Sequence, residues 1–399
     1  MYATGYRDTG LPISVRIATV KDVLGIPKDE MAGSNSAETG PIVRDRDGWV
    51  TRPLVLFCLT STLITIVAGF AQVNFGTYSM TTLEVARAVT EPTILFNLDA
   101  WTGFLFGTEL PEMEAGELIV WSIRLPRVFV AIIAGATLAV SGAIFQAVTR
   151  NELASPFILG VSAGAGFAVL ATLVVFSGLA PFLPFIAAIG GTVAFLIVYV
   201  IAWKNGTSPV RLVLAGVIVN MVFQSLQQGL FFFADDLGIV QTAISWLTGS
   251  LTGTGWPEVR IAILPAVLAI AIALAGSRQL NLLLLGEQTA RSLGMRIELV
   301  RFLLSAVAIL AASVAISVAG IVSFFGLVVP HIVRNTIGGD YRQLMIGCLF
   351  AGPALMVTAD VGARLALGGT QMPVGVVTGL IGGPYFLYLM RKQRSMGEL

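Results

Sequence analysis

Histidine occurs once in the 399 residues, at His331, cysteine twice, at Cys58 and Cys348, and charged side chains make up only 12%. Each scarcity removes a class of function. One histidine and two separated cysteines do not compose a usual transition-metal shell. The cysteines fall in apolar runs far apart in sequence, so they imply no disulfide framework and serve as buried small hydrophobes. No G-x-x-x-x-G-K-[ST] phosphate loop occurs, so the chain does not hydrolyse ATP itself. The pattern G-x-S-x-G does occur, as GVSAG around Ser162, but a nucleophile elbow follows a strand and needs a base, and His331 lies at the end of a distant apolar run near Arg334. A membrane-embedded hydrolase is set aside on that ground.

What the sequence has in abundance is apolar length. Hydrophobic residues make up 56%, with 43 glycines, which excludes an ordinary soluble domain and predicts an all-α polytopic membrane protein. Runs of about 20 apolar residues predict ten transmembrane helices, near 53–73, 126–148, 155–177, 182–203, 210–233, 258–276, 300–320, 322–337, 343–366 and 373–391. An even number puts both termini on one side. That side collects Arg150, Lys204, Arg211, the 278–301 loop, Arg334, Arg342 and 391–394, whereas the other carries the acidic run Glu109, Glu112, Glu114 and Glu117. The asymmetry predicts a multi-pass protein of the cell membrane with both termini cytoplasmic. The domain organisation read from this is a cytoplasmic N-terminal extension at 1–50, a ten-helix transmembrane unit at 51–392 and a cytoplasmic tail at 393–399.

The extension has no early apolar run and so is not a secretory signal. Ile13, Ile17, Val20 and Leu24 share one helical face, which suits a transient helix in a loosely ordered tail. Within the spans, GATLAVSGA (135–143) and GVSAGAG (160–166) place small residues three or four apart, a pattern for close helix contact. Intramembrane polar residues are functional candidates: Asn220, Gln224, Gln227 and Gln228 in the fifth span, Gln146 in the second and Asp360 in the ninth. Amides without carboxylates suit the wall of a pathway for a large polar solute, and equally suit interhelical hydrogen bonds. Arg124 and Arg127, flanking Pro126 at the expected entry to the second span, read on their own as interfacial anchors.

Between two long apolar runs lies 282–301, LLLLGEQTARSLGMRIELVR, with Glu287, Ala290, Arg291 and Leu293 at helical spacing and a stop at Gly294. A short amphipathic helix on the cytoplasmic face is where a soluble partner could act on the membrane part. Its string LGEQTARSLGM resembles the coupling loop of the iron-chelate and cobalamin permease family of ABC importers. RLPRVFVAIIAGATLAVSGAIFQ, NELASPFILGVSAGAG, ISWLTGSL, FFGLVVPHIVR and PVGVVTGLIGGPYFLYL resemble further strings of that family, in its order, over roughly 47–392.

That resemblance implies a type II ABC importer permease architecture: two ten-helix subunits, identical or paired similar chains, two cytoplasmic ATPases carrying ATP and Mg, and an external substrate-binding protein. No cofactor is implied on this chain, which is a transport subunit and not an enzyme. The resemblance assigns docking of the binding protein to Arg124, Arg127 and Arg364. It assigns ATPase coupling to Gly286, Glu287, Ala290, Arg291, Leu293 and Gly294, with Glu287 capping the helix and Ala290 and Leu293 seated in a partner groove. It assigns an inner gate to Asn151 and Leu153, although Glu152 stands where the family usually has proline. Gln146, Asn220 and Gln224 are the pathway-lining candidates. The implied cargo is a metal chelate, ferric siderophore first, with heme and cobalamin as alternatives. The different-class alternative is an ion-coupled secondary transporter, for which Asp360 is the plausible midplane carboxylate.

Overall fold

The computed structural model describes residues 49–397 apart from 77, 205, 235 and 367–370; the expectation for the N-terminal extension therefore lies outside the described residues, save its last two. All the regular elements among the described residues are helices. Ten helices occupy the positions predicted for spans: α1 (Arg52–Asn74), α4 (Ala115–Thr149), α5 (Val161–Val175), α6 (Leu183–Ala202), α7 (Pro209–Phe231), α9 (Trp256–Ala275), α12 (Ile297–Ala319), α13 (Phe325–Ile337), α14 (Tyr341–Leu365) and α15 (Val374–Gly397). Seven are long and apolar enough to cross a membrane. The intervening α-helices of more than one turn are α2 (Thr82–Val89), α3 (Leu98–Phe106), α8 (Leu237–Thr248), α10 (Ser277–Leu284) and α11 (Glu287–Ser292). Arg150, Arg278, Arg291, Arg296, Arg334 and Arg342 gather at one end of the bundle and Glu84, Glu91, Glu114 and Glu117 at the other. We call these the basic and the acidic end.

At the centre stands α4, buried over nearly all of Pro126–Thr149 and packed most extensively on α14 and α12. Lipid supplies no hydrophobic drive between helices, so close approach of backbones has to hold them. The small-residue pattern provides it: a Cβ on Gly135 would run into the Gly352 carbonyl, and one on Gly142 into that of Gly326. In the same way Gly164 of α5 meets Gly190 of α6.

The second helix differs from its expected span. It begins at Ala115 and runs 35 residues, with a π-helical turn at Val120–Arg124. Pro126 is thus inside a continuous helix and not at its entry. A proline ring clashes with the carbonyl four residues back, here that of Ser122, and the wider turn makes room for it. The third span also starts later than expected, at Val161, because 150–160 forms turns ending in Gly160 with φ 81.

The sequence reading leaves 74–115 as a loop, yet the structure folds it into α2 and α3. Thr81 and Glu84 make a capping box at the start of α2, and Asn97 caps α3. At the other end of α3, Arg260 from α9 donates to the carbonyls of Phe104 (2.6 Å) and Gly103 (2.9 Å), a cation at a helix C-terminus. Phe104 stacks on Trp256 (4.8 Å between centroids) and Trp101 meets Trp121 edge-on (5.7 Å). This cover seats the acidic end on α4 and α9. Non-helical backbone at the same end is tied together, with the Ile321 N–H donating to Trp246, Ser250 to Ala319 and Gly375 to Gly249. Irregular chain survives at membrane depth only when its polar groups are satisfied in this way.

Candidate functional site

Two polar sites stand out in an otherwise apolar bundle, one at each end. At the basic end α11 projects between α10 and α12. Gly286 (φ 103) and Gly294 (φ 82) bound it in a backbone region that side chains rarely adopt, so these two residues set the turns. Arg291 and Ser292 are exposed, as is Leu293 at 59%. Ala290 is fully buried within this chain, which corrects the expectation that it enters a partner's groove: its methyl faces the side on which α11 rests. Glu287 makes no capping hydrogen bond, but it stands in the first turn of α11, where its charge favours the positive end of the helix dipole as expected. Its carboxylate accepts from the Arg301 guanidinium at 2.8 Å, and that hydrogen bond holds its pKa below the ordinary carboxylate range against partial desolvation.

Arg301 is the residue that sequence reasoning missed. It looks like one more cytoplasmic arginine, yet its side chain is fully covered in the first turn or two of α12. It donates to Glu287 on α11, to Glu298 (3.4 Å) one turn back, and to the carbonyl (2.7 Å) and hydroxyl (2.9 Å) of Thr207 ahead of α7. Glu298 in turn accepts from the Thr207 N–H and hydroxyl. The signal was present in the periodicity, since positions 297, 301, 304, 305 and 308 share the apolar face of α12.

Nearby, the turn after α4 brings Asn151 and Leu153 together: the Asn151 side chain accepts from the Leu153 N–H at 2.9 Å, and Leu153 is half exposed. Arg150 donates to the Leu283 carbonyl on α10. Glu152 pairs with Arg334 (3.2 Å) and faces His331 (3.9 Å). Gln146, expected on a pathway wall, is instead buried, accepting from Arg334 at 3.0 Å. On α7, Gln224 and Gln228 are exposed and Asn220 half-buried, i, i+4, i+8 along one stripe, whereas Gln227 turns inward to the Ala163 carbonyl. An exposed amide stripe among Val217, Ile218, Met221 and Val222 fits a water-lined or protein-covered face better than lipid.

At the acidic end lies a cavity of about 470 Å³ lined by Arg124, Arg127, Arg364, Gln371 and the 252–255 turn. The guanidiniums are directed inward in the single chain. Arg124 donates to the carbonyls of Val73 (2.8 Å) and Tyr78 (2.5 Å). Arg127 grips Asp360 with two bonds, 2.9 and 2.6 Å, and Arg364 donates to the Phe75 carbonyl while its Nε stands 3.7 Å from Asp360. The sequence reading pictured all three as forks offered to an outside protein; here they first of all order the rim. Asp360 itself is fully buried, five residues from the acidic end of α14, and also accepts from Gln72 at 2.7 Å. A carboxylate so bound is not a free coupling site at the midplane, which corrects the reading of Asp360 as an ion-coupling residue.

A bundle of this kind, apolar along its helices with a pinned helix displayed at one end and a charged rim at the other, has the build of a polytopic membrane protein. The chain matches the model of the FecCD transport family over residues 64–392 and belongs to that family, the iron-chelate and cobalamin permeases of ABC importers. It is 40% identical to the Fe(3+)-citrate import system permease protein YfmD of Bacillus subtilis (strain 168), over 70% of this chain and 83% of that one. It is 34% identical to the iron(3+)-hydroxamate import system permease protein FhuG of the same organism, over 86% and 98%. The cobalamin import system permease protein BtuC of Halobacterium salinarum is 40% identical over 70% and 74%. A solved metal-chelate type ABC transporter in an inward-facing conformation superposes with a TM-score of 0.71 at 25% identity, covering 85% of this chain and 99% of that one.

Proposed function

We propose that the chain is the permease subunit of an ABC importer that carries a metal chelate, ferric siderophore first, inward at the expense of ATP hydrolysed on a partner. The observation that carries this reading is the construction of α11, whose inner side is anchored by Arg301 and Ala290 and whose outer side offers Leu293 and Arg291. A soluble ATPase seated there would push on α12 and α7 together, because Arg301 bridges α11, α12 and Thr207. The two permease copies, identical or similar, would face each other across the amide stripe of α7. The rim of Arg124, Arg127 and Arg364 is where an external binding protein would dock, with specificity for the chelate residing in that protein. Relatives named for iron citrate and iron hydroxamate support an iron chelate as cargo, and relatives named for cobalamin keep cobalamin as the alternative.

Leu293→Asp tests the reading, since that side chain is exposed and its replacement leaves the bundle intact. Insertion and binding-protein docking should be normal, uptake should be lost, and ATP hydrolysis should no longer respond to the loaded binding protein. Full uptake by this variant would remove α11 from the coupling role. A panel of siderophore, heme and cobalamin offered to the purified binding protein would decide the cargo.

A further inference from the structure

Between α6 and α12 runs a groove of about 470 Å³ that no part of the transport reading uses. Ile189, Val193 and Leu196 form one wall and Phe302, Ala306 and Leu310 the other. Its polar groups are turned away from any occupant: the Thr192 hydroxyl donates to the Ala188 carbonyl at 2.8 Å, and the Ser313 hydroxyl to the same carbonyl at 3.5 Å. The walls therefore offer contact and no hydrogen bonds. From Phe302 to Ser313 the groove spans roughly 16 Å at a rise of about 1.5 Å per residue, the middle half of α12, so an acyl chain entering from one end and filling it reaches just past the centre of a hydrocarbon core of about 30 Å.

The Phe302 side of the groove is the one nearer the basic end. Phe302 meets Tyr199 edge-on at 5.3 Å, and Tyr199 meets Trp203 at 6.0 Å, so a row of rings leads from the apolar wall out to a half-exposed Trp203. Such rings mark the level of lipid headgroups. Immediately beyond stand Lys204, at the exit of α6, and Arg296, at the entry of α12, both exposed. The acidic residue of that corner, Glu298, is already taken up by Arg301 and Thr207. An apolar slot about as long as an acyl chain, a row of rings at its basic side and an exposed cation on each of the two helix ends beyond match one molecule type.

We propose that this groove is a binding site for an anionic phospholipid of the leaflet at the basic end, one acyl chain lying between α6 and α12 and the phosphate held by Lys204 and Arg296. The proposal needs only that the chain spans a membrane and is independent of the cargo and of the ATPase.

The test is native mass spectrometry of the full chain exchanged into vesicles of phosphatidylglycerol or phosphatidylcholine with identical acyl chains. The expected result is one retained phosphatidylglycerol, preferred about tenfold over phosphatidylcholine, with the preference abolished in the double variant Lys204→Gln, Arg296→Gln. Filling the slot with Val193→Trp, or with Ala306→Phe should the first variant not fold, should remove the retained lipid altogether. Equal retention of the two lipids by the unaltered chain would overturn the proposal. So would retention that survives the filled slot, which would place the lipid elsewhere, or a filled slot that splits permease pairs without changing the lipid count, which would make the groove a subunit interface.

Discussion

The Arg301 guanidinium, wholly covered on α12, donates to the half-buried carboxylate of Glu287 on α11 at 2.8 Å, and thereby ties the displayed helix to a membrane span. A rigid tie of this sort transmits displacement, whereas a solvated loop would absorb it.

Glu287→Gln keeps the size and one acceptor but removes the charge. A hydrogen bond to a charged group contributes about 1.5–3 kcal/mol when buried, and the third of Glu287 left in solvent discounts this to about 1 kcal/mol. Uptake driven by the partner ATPase should fall roughly fivefold, with insertion unchanged. Arg301→Met should be more severe, because it also strands Glu298 and Thr207; comparison of transport rates at equal membrane abundance checks the order.

The same pair sets a pH dependence. Because Arg301 holds the folded-state pKa of Glu287 below its unfolded value, the stabilisation is fully present above the ordinary glutamate range and is lost as pH falls through the lowered folded value. Amide exchange over 286–294, corrected for the intrinsic rate, should be flat at neutral pH and rise progressively as pH falls below about 4.3. In Glu287→Gln it should be fast and show no such step.

At the acidic end, Arg127→Ala would leave Asp360 buried with only Gln72 and a distant Arg364 for company. Breaking a buried pair from one side costs about 3–5 kcal/mol. The melting temperature in detergent should drop sharply, and adding Asp360→Ala should recover part of the loss. An unchanged melting temperature in the single variant would show that the pair is not structural, leaving the arginine free for an outside partner.

Orientation is tested with single cysteines at exposed positions on opposite ends, Ser292 and Thr108, in a chain freed of Cys58 and Cys348. An impermeant thiol reagent applied to intact cells should label position 108 and not 292. Labelling at 292 would invert the topology on which the coupling role of α11 depends.

Ten helices at the predicted positions, their order and the charge asymmetry of their ends were legible in the sequence, because apolar length and arginine placement are local properties. The two turns of the displayed helix were legible for a similar reason, since Gly286 and Gly294 are positions where the backbone itself needs glycine. What a charged residue faces is a different kind of fact. Arg301, Arg127 and Asp360 have partners 14, 233 and 288 positions away in the chain, and Ala290 and Gln146 are covered by neighbours brought in from other helices. Burial and pairing are sums over contacts between segments distant in sequence, so only the tertiary structure decided that these arginines turn inward, that Asp360 is occupied, and that one arginine of a basic loop is the tie between the helix at the surface and the spans beneath it.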